Sequence, residues 1–170
     1  MTGMTRRFEP VLQALNNAGV RHLVVGGVAV VLHGVLRATG DLDLVVQLQP
    51  DNLVRGLEAL ERAGFRLRPP VPLKAFANPE IRQMWIESKN LQVLSLWHPE
   101  LAGFEVDLFV TEPFDFDTVW QRRVDIPLEH THAPVVSVDD LLDLKRASGR
   151  ALDLEDVAAL ETLRGRTDRD

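Results

Sequence analysis

No cysteine occurs among the 170 residues, and that absence removes disulfides, thiolate metal sites and cysteine nucleophiles together. No apolar run approaches the roughly 18 residues that a helical membrane span requires. The opening residues, MTGMTRRFEP, lead into a helix pattern rather than into the apolar core of an export signal. The expectation is a cytoplasmic protein with no membrane partner. Cations are the minority charge: 19 Lys and Arg against 25 Asp and Glu leave a net charge of −6, which argues against coating nucleic acid through bulk electrostatics. Three local basic groups remain, around Arg62, Arg66 and Arg68, around Arg122 and Arg123, and around Lys145, Arg146 and Arg150, each read most simply as a solvated face. The 45% hydrophobic and 26% charged content suits one compact globular unit, or a small core with a helical appendage.

The most informative stretch is Leu23 to Val46, LVVGGVAVVLHGVLRATGDLDLVV. Leu23, Val24 and Val25 read as a strand that stops at Gly26-Gly27, and Val28 to Leu36 have helix length with apolar residues on nearly every side. Adjacent glycines at a strand-to-helix junction permit a sharp turn and leave backbone N–H groups open to an anion such as phosphate. In Asp41-Leu42-Asp43-Leu44, strand periodicity puts the two carboxylates on one face. Like charges so close call for a cation, and oxygen-only ligands point to Mg²⁺ rather than zinc. Taken singly, the glycine pair reads as a turn and the Asp-x-Asp as a solvated edge. Arg37, in the loop before the acids, suits a triphosphate contact by paired hydrogen bonds and equally a surface salt bridge. His33, in so apolar a helix, reads as a core or supporting residue.

The order of apolar strand, Gly26-Gly27, thirteen intervening residues and Asp41-Leu42-Asp43 resembles the signature of the DNA polymerase beta-like nucleotidyltransferase superfamily. The resemblance implies a third acid, flanked by hydrophobics, on a later strand. Asp107 in Phe104-Glu105-Val106-Asp107-Leu108-Phe109 answers to it, enclosed by Val106 and Leu108, with Glu105 on the same face. It also implies the fold class: α/β (α+β), a minimal nucleotidyltransferase fold with a small mixed or antiparallel sheet flanked by helices and followed by C-terminal helices. Asp41, Asp43 and Asp107 would be both catalytic residues and ligands of Mg²⁺, most simply two ions, with a nucleoside triphosphate as donor held near Gly26 and Gly27. Nucleotidyl transfer to an acceptor hydroxyl with release of pyrophosphate is the implied reaction.

Further elements follow by pattern. Phe8 to Ala18 and the run after Pro50-Asp51 read as helices, the second capped by Asp51 or Asn52. Leu91 to Trp97 reads as a strand forming an antiparallel hairpin with the Asp107 strand, Asp115 or Asp117 as a helix cap, and Val124 to Leu128 as an outer strand. Pro69 to Pro79 is expected as a loop over the site, with Ile81 to Trp85 open between helix and strand. Arg21-His22 are expected at the exposed end of the first strand. Ser137-Val138-Asp139-Asp140 has capping-box spacing. Beyond it, KRASGRALDLEDVAAL resembles the C-terminal Lys-and-Asp motif of AbiEii-like nucleotidyltransferase toxins and their uncharacterised relatives. That resemblance implies that Lys145 approaches the nucleotide phosphates, that Asp153 supports the site, and that a cognate antitoxin is a possible partner; the plain alternative is an amphipathic helix with surface charges. The expected organisation is a core over 1–136, a C-terminal helical segment over 137–164 and a flexible tail over 165–170. RNA, a small molecule or a protein remain open as acceptor. A non-catalytic nucleotide- or partner-binding module is the competing class.

Overall fold

A computed structural model describes residues 5–68 and 71–167. The chain runs α1 (Thr5–Asn17), β1 (His22–Val25), α2 (Gly26–Leu32), β2 (Leu42–Val46), α3 (Pro50–Arg62), β3 (Arg66–Leu67), a 3₁₀ turn (Leu73–Ala77), α4 (Pro79–Lys89), β4 (Val93–Trp97), β5 (Glu105–Phe109), α5 (Phe116–Gln121), β6 (Val124–Pro127), β7 (His132–Val135), α6 (Val138–Ser148) and α7 (Ala151–Thr167). The strands form one mixed sheet in the order β3-β4-β5-β2-β1-β7-β6. β1 pairs antiparallel with β2, β2 parallel with β5, and β5 antiparallel with β4.

Alternation assigns the two faces at the centre of this sheet. Leu42 and Leu44 of β2, Val106 and Leu108 of β5, and Leu94 and Leu96 of β4 are all buried and share one face. Helices α1 and α3 cover it, and Gly56 of α3 lies close against Val46, Val20 and Leu15, where a larger residue would hold the helix off the sheet. Each aliphatic side chain buried there contributes about 1.5–3 kcal/mol, so this face is the main source of stability. Asp43, Asp107 and Ser95 stand on the opposite face, which α6 approaches.

The α/β class and mixed sheet are as expected, and several local boundaries differ. Helix α2 ends at Leu32 rather than Leu36, because Gly34 takes a positive φ of 106° and the chain then runs without regular structure to β2. Neither Asp51 nor Asn52 is the helix cap: α3 begins at Pro50 with Gln49 before it, and buried Asn52 instead accepts from the Arg21 N–H and donates to the Arg21 and Gln47 carbonyls. His22 lies in β1 with no exposure instead of at an exposed end. The segment expected as a loop over the site is largely helical, with Asn78 capping α4 through the Glu80 and Ile81 N–H groups, and none of residues 71–91 lines the acidic cleft. Pro69 and Pro70 lie outside the described residues. Strand β7 carries too little alternation to stand out in the sequence. Gly165 belongs to α7, so the tail expected from that residue is helical through Thr167, and residues 168–170 lie outside the described residues.

Candidate active site

The site begins with register. Val25, Asp43, Asp107 and Ser95 are consecutive partners across β1, β2, β5 and β4, so their side chains form one row on one face of the sheet. Neighbouring strands lie about 4.8 Å apart, which holds the Asp43 and Asp107 backbones side by side. The Ser95 hydroxyl donates to Asp107 Oδ1 at 2.5 Å. Asp43 accepts the backbone N–H of Gly27. Its carboxyl is nevertheless pushed up to about 6, first by burial and then by the charges of Asp107 and Asp41, with Lys145 and the Gly27 N–H pulling the other way.

The diglycine turn fits these side chains closely. Gly26 has φ of 65°, and a Cβ there would lie 2.0 Å from Asp43 Oδ2, so both backbone conformation and space demand glycine. A Cβ on Gly27 would meet Thr39 Oγ1 at 2.6 Å and the Arg37 guanidinium carbon at 3.3 Å. The space expected to receive a phosphate is filled at Gly27 by the 37–39 loop, while Gly26 borders the cleft.

That cleft has a volume of about 670 Å³. Its floor holds Gly26, Asp43 and Asp107. Gln92, Val93, Phe109 and Pro113 line it further along, and Leu141, Leu144, Lys145, Arg150 and Asp153 form the wall contributed by α6 and the start of α7. Lys145 is buried, with Nζ 3.0 Å from Asp153 Oδ1 and 2.7 Å from Asp156 Oδ2. Arg150 holds Asp153 through Nε at 2.7 Å, and Arg37 holds Asp156. Burial would raise the Asp153 carboxyl, but the hydrogen bonds from Arg150, Lys145 and Ser148 outweigh it and hold the group well below the usual carboxylate range.

The structure therefore groups Asp43, Asp107, Gly26 and Lys145 around one cleft and leaves three expected residues elsewhere. Arg37 is engaged with Asp156 and with the Ala38 carbonyl, the salt-bridge alternative of the two expected for it, and does not line this cleft. Gly27 does not line the cleft. Asp41 is exposed, accepts the Glu105 N–H and borders a second cleft of about 430 Å³ with Arg7 and Thr39; its carboxyl is raised by burial, Asp107 and Glu105. Ser95 and Arg150 are site neighbours that sequence spacing did not single out. Ser95 had a legible signal only through the hairpin register, since it is the residue opposite Asp107. The basic groups expected as solvated faces are partly paired: Arg62 with Glu58, Arg68 with Glu105, Arg122 with Asp140, Arg123 with Asp125, and Arg146 with Glu161. His33 hydrogen-bonds the Val136 carbonyl at 2.8 Å and serves packing.

Among the described residues, no group of three or more His, Cys, Asp or Glu side chains is gathered closely enough to hold a metal ion. The expected convergence of three acids is thus reduced to the pair Asp43 and Asp107, with Asp41 at the rim. Oxygen-only donors, mutual repulsion and an adjoining cleft fit a hard cation that completes its shell with substrate phosphates and water, the usual habit of Mg²⁺, rather than a cage built by protein alone.

No protein-family model matches the chain, and no curated protein matches it in sequence. Solved structures do match. The lincosamide antibiotic adenylyltransferase LnuA, bound to lincomycin, aligns with a TM-score of 0.58 at 16% identity, covering 96% of this chain and 98% of its own. ANT(2")-Ia in complex with adenylyl-2"-tobramycin aligns with 0.58 at 14% identity, covering 99% and 100%. A putative nucleotidyltransferase from Thermotoga maritima, TM1012, aligns with 0.53 at 15%, covering 98% and 94%. At such identities the likeness is one of fold, and it extends over nearly the whole chain: the molecule has the fold of these nucleotidyltransferases.

Proposed function

We propose that the protein is a nucleotidyltransferase that moves a nucleoside monophosphate from a nucleoside triphosphate to an acceptor hydroxyl, releasing pyrophosphate. The observation that carries this reading is the in-register pair Asp43 and Asp107 on the floor of a cleft whose opposite wall supplies Lys145 and Arg150. Asp43 and Asp107 would hold Mg²⁺. When bound, the ion neutralises phosphate charge and makes both the attacking and the leaving oxygen better able to react. Ser95 fixes the Asp107 carboxylate by its hydrogen bond, and the Gly27 N–H does the same for Asp43, so neither carboxylate has to reorganise when substrate arrives. Lys145, held between Asp153 and Asp156, would face the phosphates from the cleft wall, and Asp107 would accept the acceptor's proton. Asp41, at the rim, assists from the adjoining cleft.

The acceptor we favour is a small molecule. The fold neighbours act in two cases on antibiotics and match this chain end to end in size, the cleft is of small-ligand volume, and the net charge of −6 disfavours an RNA acceptor. A toxin-like role with a cognate antitoxin gains no comparable support. The test is to incubate the protein and Mg²⁺ with each of the four α-labelled triphosphates and, separately, lincosamide- and aminocyclitol-type compounds, total RNA and cell extract. Label in a small molecule with stoichiometric pyrophosphate supports the reading. Label in RNA alone overturns the acceptor class, and binding without transfer to any acceptor supports the non-catalytic module.

A further inference from the structure

We propose that Ser95 is itself an acceptor: when no other hydroxyl is bound, the protein transfers one nucleoside monophosphate to its own Ser95 Oγ and thereby blocks its cleft. The inference rests on the nucleotidyltransferase reading above and adds to it a modification site and a form of self-regulation.

The first observation is a hydrogen bond. Ser95 Oγ donates to Asp107 Oδ1 at 2.5 Å, a short distance of the kind a hydroxyl makes with an ionised carboxylate. Asp107 is the group read above as taking the acceptor's proton, so Ser95 already stands to it as an acceptor hydroxyl would. A hydroxyl within hydrogen-bond reach of its base is the arrangement that activates an alcohol as a nucleophile. Other nearby hydroxyls lack it. Ser148 lines the cleft but donates to Asp153, whose carboxyl Arg150 and Lys145 help to hold well below the usual range, which leaves a poor base. Thr39 lies against Gly27, outside this cleft. Among the described residues, Ser95 is the side-chain hydroxyl recorded on the acidic pair.

The second observation is position. Ser95 closes the row Val25, Asp43, Asp107, Ser95 at the β4 end, and Gly26, which follows Val25, lines the cleft at the other end. In-line displacement needs the entering oxygen and the leaving group on opposite sides of the phosphorus. A hydroxyl entering from β4 meets that need when pyrophosphate departs toward the β1 end, with the α-phosphorus over the acids between them. Ser95 is partly exposed, and Val93, two residues before it on the same face of β4, lines the cleft, so the hydroxyl is not sealed away.

In the step itself, Ser95 Oγ bonds to the α-phosphorus and its proton passes to Asp107. The bond from the α-phosphorus to the bridging oxygen breaks, and pyrophosphate leaves with that electron pair. The product is a phosphodiester on Ser95, with the nucleotide tethered over the cleft floor and the hydroxyl consumed. The reaction is therefore limited to one nucleotide per chain and stops turnover until pyrophosphate reverses it. An external acceptor that reaches Asp107 displaces the Ser95 hydrogen bond and takes the nucleotide instead, so the supply of acceptor decides between turnover and self-blockade.

Intact-mass measurement tests this on the wild type, Ser95→Ala and Asp107→Asn, each incubated with Mg²⁺ and one of the four triphosphates without acceptor. The wild type is expected to gain the mass of one nucleoside monophosphate from at least one triphosphate, at a rate independent of protein concentration. Peptide mass spectrometry is expected to place that mass on Ser95, and added pyrophosphate to remove it. Ser95→Ala is expected to keep less than about 1% of the labelling, whereas losing a residue that only positioned Asp107 would slow it about tenfold. Asp107→Asn is expected to lose it at least as fully. A mass on any other residue, labelling that persists in either variant, or a rate that rises with protein concentration would overturn the inference. So would a wild type that passes nucleotide to RNA or a small molecule yet stays unmodified when acceptor is withheld, a result that leaves the transferase reading standing. A wild type that labels neither itself nor any acceptor would remove the transferase reading, and this inference with it.

Discussion

Two charged regions face each other across one cleft, and they handle charge in opposite ways. On the sheet, Asp43 and Asp107 stand side by side, and burial together with the charges of Asp107 and Asp41 pushes the Asp43 carboxyl up to about 6. At the α6–α7 corner, carboxylates and cations alternate from Arg150 through Asp153, Lys145 and Asp156 to Arg37, and Asp153 is held well down. The corner is complete within the chain and serves the fold as well as the cleft. The acidic pair is unfavourable as it stands, and an arrangement that weakens the folded state is a mark of a functional site. The contrast separates residues whose loss should damage activity from residues whose loss should damage stability.

The sharpest test of that contrast is at the pair itself. Asp43→Asn and Asp107→Asn should each lower transfer by at least about 10³-fold, and the double variant should be little worse than either, because the two act as a unit. Single-turnover kinetics with labelled triphosphate would read this, and strictly additive losses would break the idea of a joint site. At the corner the order reverses. Lys145→Met should cost about 1–3 kcal/mol of stability by leaving buried Asp153 and Asp156 each with a single arginine partner, measured by urea or thermal unfolding.

A smaller effect is the pH dependence of stability, where the acidic pair can be set against a second buried group. The folded protein keeps the Asp43 proton up to about pH 6, whereas the unfolded chain loses it near 3.8, so Asp43 makes stability rise as pH falls through that window. His22 works in the opposite sense: burial lowers it from 6.5 to about 4, so the unfolded chain takes up the proton first and stability falls as pH drops between those values. The two contributions offset each other in the wild type. Asp43→Asn should therefore be more stable than the wild type at pH 7.5 by about 1–2 kcal/mol, or about 2–6 °C in melting temperature, and should lose that advantage by pH 4. An Asp43→Asn protein that melts below the wild type at pH 7.5 would contradict the account of repulsion. The smallest expected change is Ser95→Ala, which frees the Asp107 carboxylate: about a tenfold fall in kcat with a stability change near 1 kcal/mol or less. A large loss of stability there would move Ser95 from the site to the scaffold.

Particular residues show why some of this was readable in one dimension and some was not. Asp43 and Asp107 stand out because each is an acid inside a run of apolar β-formers, and alternation alone says that such an acid leaves the core face. The capping box at Ser137 was readable because its partners lie three residues apart, and the Ser137 hydroxyl does accept the Asp140 N–H. For Arg37 the sequence left a phosphate contact and a salt bridge equally open because its partner, Asp156, is 119 residues away, and nothing local distinguishes a guanidinium bound to a carboxylate from one awaiting a phosphate. Separation along the chain also hid the division of Asp41 from Asp43. Residues two apart share a face in any strand, but Asp41 precedes β2 and turns to the Glu105 N–H.

Periodicity and turn chemistry act over a few residues, and they were enough to specify the strands that carry the acids and the glycine turn beside them, while the α/β fold class came as what the family resemblance of those motifs implies. Which strand lies next to which, which arginine reaches the cleft and how the C-terminal helices neutralise one another depend on closing loops of tens to more than a hundred residues. Those outcomes follow from burying the shared apolar face of the sheet, and the charges then meet whatever partners that packing leaves within reach.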